Sequence, residues 1–144
     1  MTATPEPAQP PGAAAAERPR PHAPRRAGDV TPDLPLLVLW EELLGWLFPA
    51  LEKMPKTVRF TLARRMEDIA LDILDGLVEA RFRRERLKTL TEVSLCLERL
   101  RTLLRVAHSL KVLSAAAYRH GSERVDEAGR MLGGWIKHQA GRRG

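Results

Sequence analysis

The side chains best suited to chemistry in this sequence are basic, and they gather between positions 81 and 119. This stretch holds ten basic residues against three acidic ones, a net charge of +7. A guanidinium group offers a rigid fork of donors that matches phosphate oxygens. The pattern therefore indicates a polyanion as a candidate ligand, bound in a salt-dependent and largely sequence-independent way. The ten residues are Arg81, Arg83, Arg84, Arg86, Lys88, Arg99, Arg101, Arg105, Lys111 and Arg119.

A solvated basic surface is the competing interpretation of the same residues. On a helix, Glu98 can pair with Arg101, and Glu85 can pair with Lys88. The sequence does not indicate an aromatic stacking platform beside the arginines. The charge pattern taken alone therefore favours a solvated surface over a binding surface.

Catalytic and metal-binding motifs are missing from the sequence. The glycine-rich residues 129–134 lie within a helical pattern and follow no strand, so they do not predict a phosphate loop. Cys96 is the only cysteine, which excludes an intramolecular disulfide and a Cys-rich zinc site. We expect a half-buried thiol there. The histidines are scattered and form neither H-E-x-x-H nor Glu-x-x-His pairs. We therefore expect a protein that is not an enzyme and uses no cofactor or metal.

The basic residues need a long helix to hold them, and the sequence predicts one over residues 84–111. Its 28 residues contain no proline or glycine and would span about 42 Å. Arg101 and Arg105, four residues apart, share one face of this helix. Beside them runs an apolar seam with alternating steps of three and four, which must be buried against other helices. The seam consists of Leu90, Val93, Leu97, Leu100, Leu104 and Ala107.

Three further helices are predicted over residues 35–53, 57–80 and 114–137, each with one apolar face. Pro49 predicts a kink or an early stop in the first of them. Gly121 lies at a seam position of the last, where it either weakens the helix or lets a neighbour approach closely. Short connections make neighbouring helices antiparallel, so the sequence predicts an all-α, up-down-up-down four-helix bundle.

The bundle domain is assigned to residues 34–138. Residues 1–33 hold eight of the eleven prolines and few large apolar residues, so we expect a disordered tail. Residues 139–144 are expected to be a frayed basic terminus. No apolar run approaches eighteen residues and the N-terminus lacks a signal-peptide pattern, which predicts a cytoplasmic protein with no membrane partner.

Three runs of sequence resemble one protein family. They are FPALEKMPKTVRFTLARRMED (residues 48–68), LERLRTLLRVA (97–107) and VDEAGRMLGGWIK (125–137). The family is that of the accessory variability determinant (Avd) proteins of bacterial diversity-generating retroelements, which are related to small four-helix proteins encoded in ribosomal RNA intervening sequences. The resemblance covers about residues 40–137, so nothing transfers to the tail.

The resemblance implies a homopentameric barrel with a basic surface. It implies partnership with the element's reverse transcriptase and with template-repeat RNA, and leaves DNA open as a further ligand. The transcriptase would carry the polymerase chemistry that yields adenine-mutagenised cDNA. Gly133 and Gly134 are expected to permit close packing beside Trp135. The residues expected to bind nucleic acid are Arg65, Arg84, Lys88, Arg101, Arg105 and Arg130.

The leading hypothesis is thus a non-catalytic accessory subunit that binds nucleic acid and the reverse transcriptase. Two alternatives stay open. One is a protein–protein scaffold whose positive charge faces an acidic patch on its partner. The other is a four-helix protein of the ribosomal RNA intervening-sequence type.

Overall fold

The computed structural model describes residues 33–143, and all regular structure within that range is helical. Each helix packs against its neighbours in the chain, and the first also packs against the last. This arrangement confirms the predicted all-α, up-down-up-down four-helix bundle. A short turn at Lys56–Val58 and a π-helical turn at Arg59–Ala63 precede the second helix. The four helices are α1 (Asp33–Glu52), α2 (Arg64–Phe82), α3 (Leu87–Ser109) and α4 (Ala115–Arg143).

The core is formed by one apolar stripe from each helix. All six predicted seam residues of α3 are buried. Trp40 and Trp135 are fully buried, and the indole nitrogen of Trp40 donates a hydrogen bond to the carbonyl oxygen of Ala70 at 2.9 Å. Burial of one leucine side chain contributes about 1.5–3 kcal/mol. The stripes therefore supply most of the free energy that holds the helices together.

Helix α1 runs through Pro49, so the predicted early stop is wrong. Proline removes one helical hydrogen bond, the one to the carbonyl of Gly45. Gly45 and Pro49 are both exposed, so the freed carbonyl lies on the side of the helix that water reaches. The helix begins at Asp33, whose carboxylate accepts a hydrogen bond from Nε of Arg81 at 3.3 Å.

Helix α1 is also long and apolar enough to cross a membrane by length and composition. Polar residues interrupt the apolar residues of α1, so the sequence contains no uninterrupted apolar run that would indicate this property. Leu36, Leu39, Trp40 and three further residues of α1 lie buried in the bundle. A core helix of a bundle needs the same apolar content, so the expectation of no membrane partner stays a prediction.

The other helix boundaries shift by a few residues. In α2, Val78 is exposed and lies outside the buried stripe. Helix α3 ends at Ser109, where Lys111 adopts a φ of 63°. The amides of Lys111 and Val112 then donate to the carbonyls of His108 and Ala107, both at 3.0 Å, which closes the helix end. Helix α4 extends past its predicted end at residue 137 to Arg143. The tail predicted over residues 1–33 lies outside the described residues except for Asp33.

Two glycines let helices approach closely. A Cβ atom on Gly76 would lie 2.4 Å from Cγ2 of Val93 in α3. A Cβ atom on Gly121 would lie 3.3 Å from two ring carbons of Trp46, which confirms the close-approach alternative for that residue. Gly133 and Gly134 are exposed with nothing within 4 Å, so the expectation that they allow close packing is wrong. They lie on the outward side of α4, although their neighbour Trp135 is in the core.

We predict opposite stability changes when alanine replaces Gly76 and Gly134. Alanine gains about 1 kcal/mol of helix propensity at either site. At Gly76 the new methyl group meets the stiff, buried Val93, and such overpacking costs about 1–3 kcal/mol. Gly76→Ala should therefore lower the urea midpoint measured by circular dichroism at fixed protein concentration, and Gly134→Ala should raise it. Stabilisation by both substitutions would contradict the close approach of α2 and α3.

Candidate nucleic-acid interface

The antiparallel topology brings four chain segments together at one end of the bundle. The ring of Trp46 in α1 meets Gly121 in α4, and a side-chain carbon of Leu104 in α3 lies beside the same glycine. The start of α2 reaches this end too, because Arg65 shares a groove with Thr102. We call this end, made of residues 46–65 and 102–123, the basic end.

The net positive charge of the bundle is concentrated at the basic end. It carries eight basic residues and two acidic ones, a net charge of +6. Residues 33–143 as a whole carry twenty basic and fifteen acidic residues, a net charge of +5. The rest of the bundle is therefore close to neutral. The basic residues are Lys53, Lys56, Arg59, Arg64, Arg65, Arg105, Lys111 and Arg119.

The cluster of basic residues at 81–88 lies at the opposite end, where acids balance it. Residues 72–92 carry five basic and five acidic side chains. Arg81 pairs with Asp33 at 3.3 Å, and Arg83 pairs with Glu79 at 2.7 Å. Partial burial lowers the pKa of Arg86 from its ordinary value, while the carboxylate of Asp33 opposes that shift. The expectation of one basic field along α3 is therefore corrected, because the two ends of this helix face different charge environments.

Arg101 is bound to acidic side chains on two helices. Its Nε donates to Oδ1 of Asp126 in α4 at 3.0 Å, and its Nη1 donates to Oε2 of Glu98 in α3. The side chain is only 25% exposed. Arg130 lines the same depression of about 380 Å³, so two cations there face two carboxylates. The two positive and two negative side chains cancel, so this depression has no net positive charge to attract a phosphate.

A second depression, between α2 and α3, has more cations than carboxylates in its lining. We call it the α2–α3 groove; it has a volume of about 390 Å³ and is lined by Arg65, Ile69, Glu98, Arg99, Thr102 and Leu103. Its one acidic residue, Glu98, pairs with Arg101. Nη2 of Arg105 donates to the hydroxyl of Thr102, a lining residue, at 3.4 Å, so a third guanidinium lies beside the groove without lining it. Arg65, Arg99 and Arg105 are exposed, and no salt bridge links them to another residue of the described range. This surface therefore keeps exposed guanidinium groups that are not held by carboxylates.

The comparison with known families now decides the class of protein. The model of the bAvd-like family matches residues 37–139, which is more than half of the chain. The chain belongs to the bAvd-like family. No curated protein matches the chain. Membership confirms the resemblance seen in the sequence and indicates an accessory role in a retroelement.

Two of the runs that carry the bAvd-like resemblance contact each other. Arg101, from LERLRTLLRVA, pairs with Asp126 of VDEAGRMLGGWIK. A Cβ atom on Gly129 of that second run would lie 3.3 Å from Nη2 of Arg101. Leu132 and Trp135 of the same run are buried. In this bAvd-like protein the two runs therefore build the contact between α3 and α4, which is a structural role.

The six predicted nucleic-acid residues fall at three places. Arg65 and Arg105 lie at the α2–α3 groove, together with Arg99, which the prediction left out. Arg101 and Arg130 lie at the depression between α3 and α4. Arg84 and Lys88 lie at the opposite end of the bundle, and Lys88 is separated from Arg105 by about 25 Å along α3. These residues do not form a single site within one protomer.

Aromatic side chains do accompany the cations, contrary to the sequence interpretation. The rings of Trp46 and His120 lie 4.5 Å apart at an angle of 55°. The rings of His108 and Tyr118 stack at 4.5 Å and 5°. Both pairs belong to the basic end. Sequence spacing does not indicate these pairs, because each pair joins residues from two different helices.

A search of residues 33–143 for metal sites found no group of three or more His, Cys, Asp or Glu side chains that could hold an ion. The expectation that the protein is not an enzyme remains a prediction.

We predict that Arg101→Ala destabilises the bundle while Arg105→Ala does not. Loss of the bridge to Asp126 should cost about 0.5–1 kcal/mol, discounted for its partial exposure. Arg105→Ala should stay within about 0.5 kcal/mol of the parent, as surface substitutions usually do. Urea unfolding of Arg101→Ala, Asp126→Ala and the double variant measures the coupling. Additive losses in this cycle would show that the bridge contributes nothing.

Proposed function

We propose that this bAvd-like protein is a non-catalytic accessory subunit of a diversity-generating retroelement, which binds template RNA or its cDNA and the reverse transcriptase. The basic end carries this proposal. It combines a net charge of +6 with exposed arginines that are not paired with acids. The polymerase chemistry belongs to the transcriptase in this scheme.

The proposed contact is between the phosphate backbone and the α2–α3 groove. Arg65 approaches from α2, while Arg99 and Arg105 approach from α3, separated by about 9 Å along the helix. Three guanidinium groups can therefore follow successive phosphates of one strand. Phosphate contacts of this kind position a strand without reading its sequence. An accessory subunit for cDNA synthesis needs that property, because the template changes along its length.

An apolar stripe on α2 supports assembly into an oligomer. Leu71, Val78 and Phe82 are exposed by 40%, 42% and 69%, and their spacing places them on one outward face. Several exposed apolar side chains on one helix face are typical of an interaction site. We propose that a second copy covers this stripe in the homopentamer that the family resemblance implies. A cyclic assembly with the bundles along its axis brings five basic ends to one rim, which multiplies their potential.

A protein–protein scaffold is the second candidate function. The same α2 stripe favours it, since such a stripe can also bind another protein. In that case the basic end would face an acidic patch of the transcriptase. Retention of the transcriptase after complete nuclease treatment, together with no affinity of the purified protein for RNA, would favour the scaffold.

We predict that the α2–α3 groove dominates binding of single strands. The triple variant Arg65→Gln, Arg99→Gln and Arg105→Gln should bind a labelled single-stranded RNA or DNA at least 10-fold more weakly at low salt. Loss of three contacts should reduce the slope of log affinity against log salt by about 2. Fluorescence anisotropy at several salt concentrations measures both quantities.

The matched control removes three cations elsewhere, with Arg84→Gln, Lys88→Gln and Arg130→Gln. It changes the net charge equally but leaves the groove intact, so its loss of affinity should be smaller. Equal losses in the two triple variants would reject the groove as the site. Binding insensitive to salt in the parent protein would count against the whole proposal.

We also predict that the α2 stripe holds the oligomer together. Light scattering on the parent protein should give about five times the chain mass of 16.2 kDa. Leu71→Gln with Val78→Gln should yield monomers of unchanged helical content, because polar side chains weaken an apolar contact. Leu110→Gln removes an exposed leucine of the loop after α3 and should leave the mass unchanged. A parent protein that is monomeric at high concentration would refute the assembly.

A further inference from the structure

A cleft lies at the basic end, between the end of α1 and the start of α4. Its volume is about 600 Å³, compared with about 390 Å³ for the α2–α3 groove. Trp46, Lys53, Ser114 and His120 line it together with small apolar side chains. Sites for small organic ligands have volumes of about 300–1,000 Å³ and combine apolar walls with a few polar groups. The cleft has both properties, and the contacts proposed above do not use it.

The ring of Trp46 forms a fixed wall of this cleft. Two of its ring carbons pack against Gly121, where a Cβ atom would approach to 3.3 Å. The imidazole of His120 packs against the same ring, with 4.5 Å between the two ring centroids. Trp46 keeps part of its surface exposed, whereas Trp40 and Trp135 are fully buried. A half-exposed indole that is held in place by its neighbours offers a ready stacking surface.

Lys53 supplies a cation at the rim of the cleft. Its side chain is exposed and takes part in no salt bridge within the described range. The adjacent Glu52 does not line the cleft. The hydroxyl of Ser114 accepts a hydrogen bond from the amide of Ala117 at 3.1 Å and so begins α4. The combination is one aromatic wall with one free ammonium group beside it.

We propose that this cleft takes one unstacked base of a single-stranded nucleic acid, with the base against Trp46 and its phosphate at Lys53. The pairing of an aromatic ring with a cation is the chemistry that single-strand-binding proteins use, and it tolerates any base. Bases within a duplex are stacked on one another and cannot enter. The cleft therefore selects single strands, a property that phosphate contacts alone cannot provide. This inference rests on the proposed function, because the basic end must first hold the strand.

Trp46 fluorescence tests the inference in the full-length parent protein. Acrylamide quenching reports mainly on this residue, since the other two tryptophans are buried. Addition of a single-stranded adenine 12-mer should quench Trp46 and protect it from acrylamide. The same 12-mer annealed to its complement should neither quench Trp46 fluorescence nor protect Trp46 from acrylamide. Adenosine monophosphate should need a far higher concentration than the 12-mer, because it lacks the backbone contacts.

Substitutions provide the second measurement. Trp46→Leu should weaken binding of the single strand by roughly 5- to 100-fold and leave duplex binding unchanged. Trp46→Phe, which keeps a stacking ring, should retain most of the affinity even if the leucine variant folds poorly. Lys53→Gln should weaken binding several-fold, whereas Lys137→Gln, a matched exposed lysine on α4, should have less effect.

The outcomes separate this inference from the proposed function. Single-strand binding that depends on the α2–α3 groove but neither quenches Trp46 nor responds to its substitution would overturn the inference and leave the function standing. Equal affinity for the monophosphate and the 12-mer would overturn it in favour of a free-nucleotide site. Absence of any salt-dependent nucleic-acid binding would overturn both.

Discussion

Burial of the α3 seam is the constraint on which the rest of the structure depends. Leu97, Leu100 and the other seam residues can be buried from water only if α2 packs against one side of α3 and α4 against the other. That inward orientation fixes the rotation of the helix. It places Arg101 beside α4 and turns Arg99 towards the groove with α2. The functional surface is therefore a consequence of how the apolar seam is buried.

The bundle separates its charges by topology. Antiparallel packing gathers the ends of α1 and α3 with the starts of α2 and α4, and these segments hold few acids. At the other end, pairs such as Arg81 with Asp33 neutralise an equally dense group of arginines. The bundle therefore presents one end with a strong excess of basic residues and another end where carboxylates pair with several of the arginines. The exposed apolar residues of α2 form a separate surface.

The family runs that were most specific in the sequence also hold the bundle together. Arg101 stood out in the sequence as a nucleic-acid contact, yet two carboxylates hold it. Gly129 leaves room for its guanidinium, and Trp135 fills the core beneath. A residue in a family motif can serve the fold rather than a ligand. Arg101 does so, because it bridges α3 and α4. The proposed phosphate contacts would need only local positive charge at Arg65 and Arg105, which places little demand on position.

The sequence by itself determined the helices, their apolar faces and the fold class, because helical periodicity is a local property read every three or four residues. It located the α3 seam and the half-buried Cys96 correctly. Only the tertiary structure decided which cations are neutralised. It also decided which aromatic rings join them, since Arg101 with Asp126 and Trp46 with His120 meet across different helices. Pairings of this kind depend on helix rotation and register, which packing sets through contacts between residues far apart in the chain.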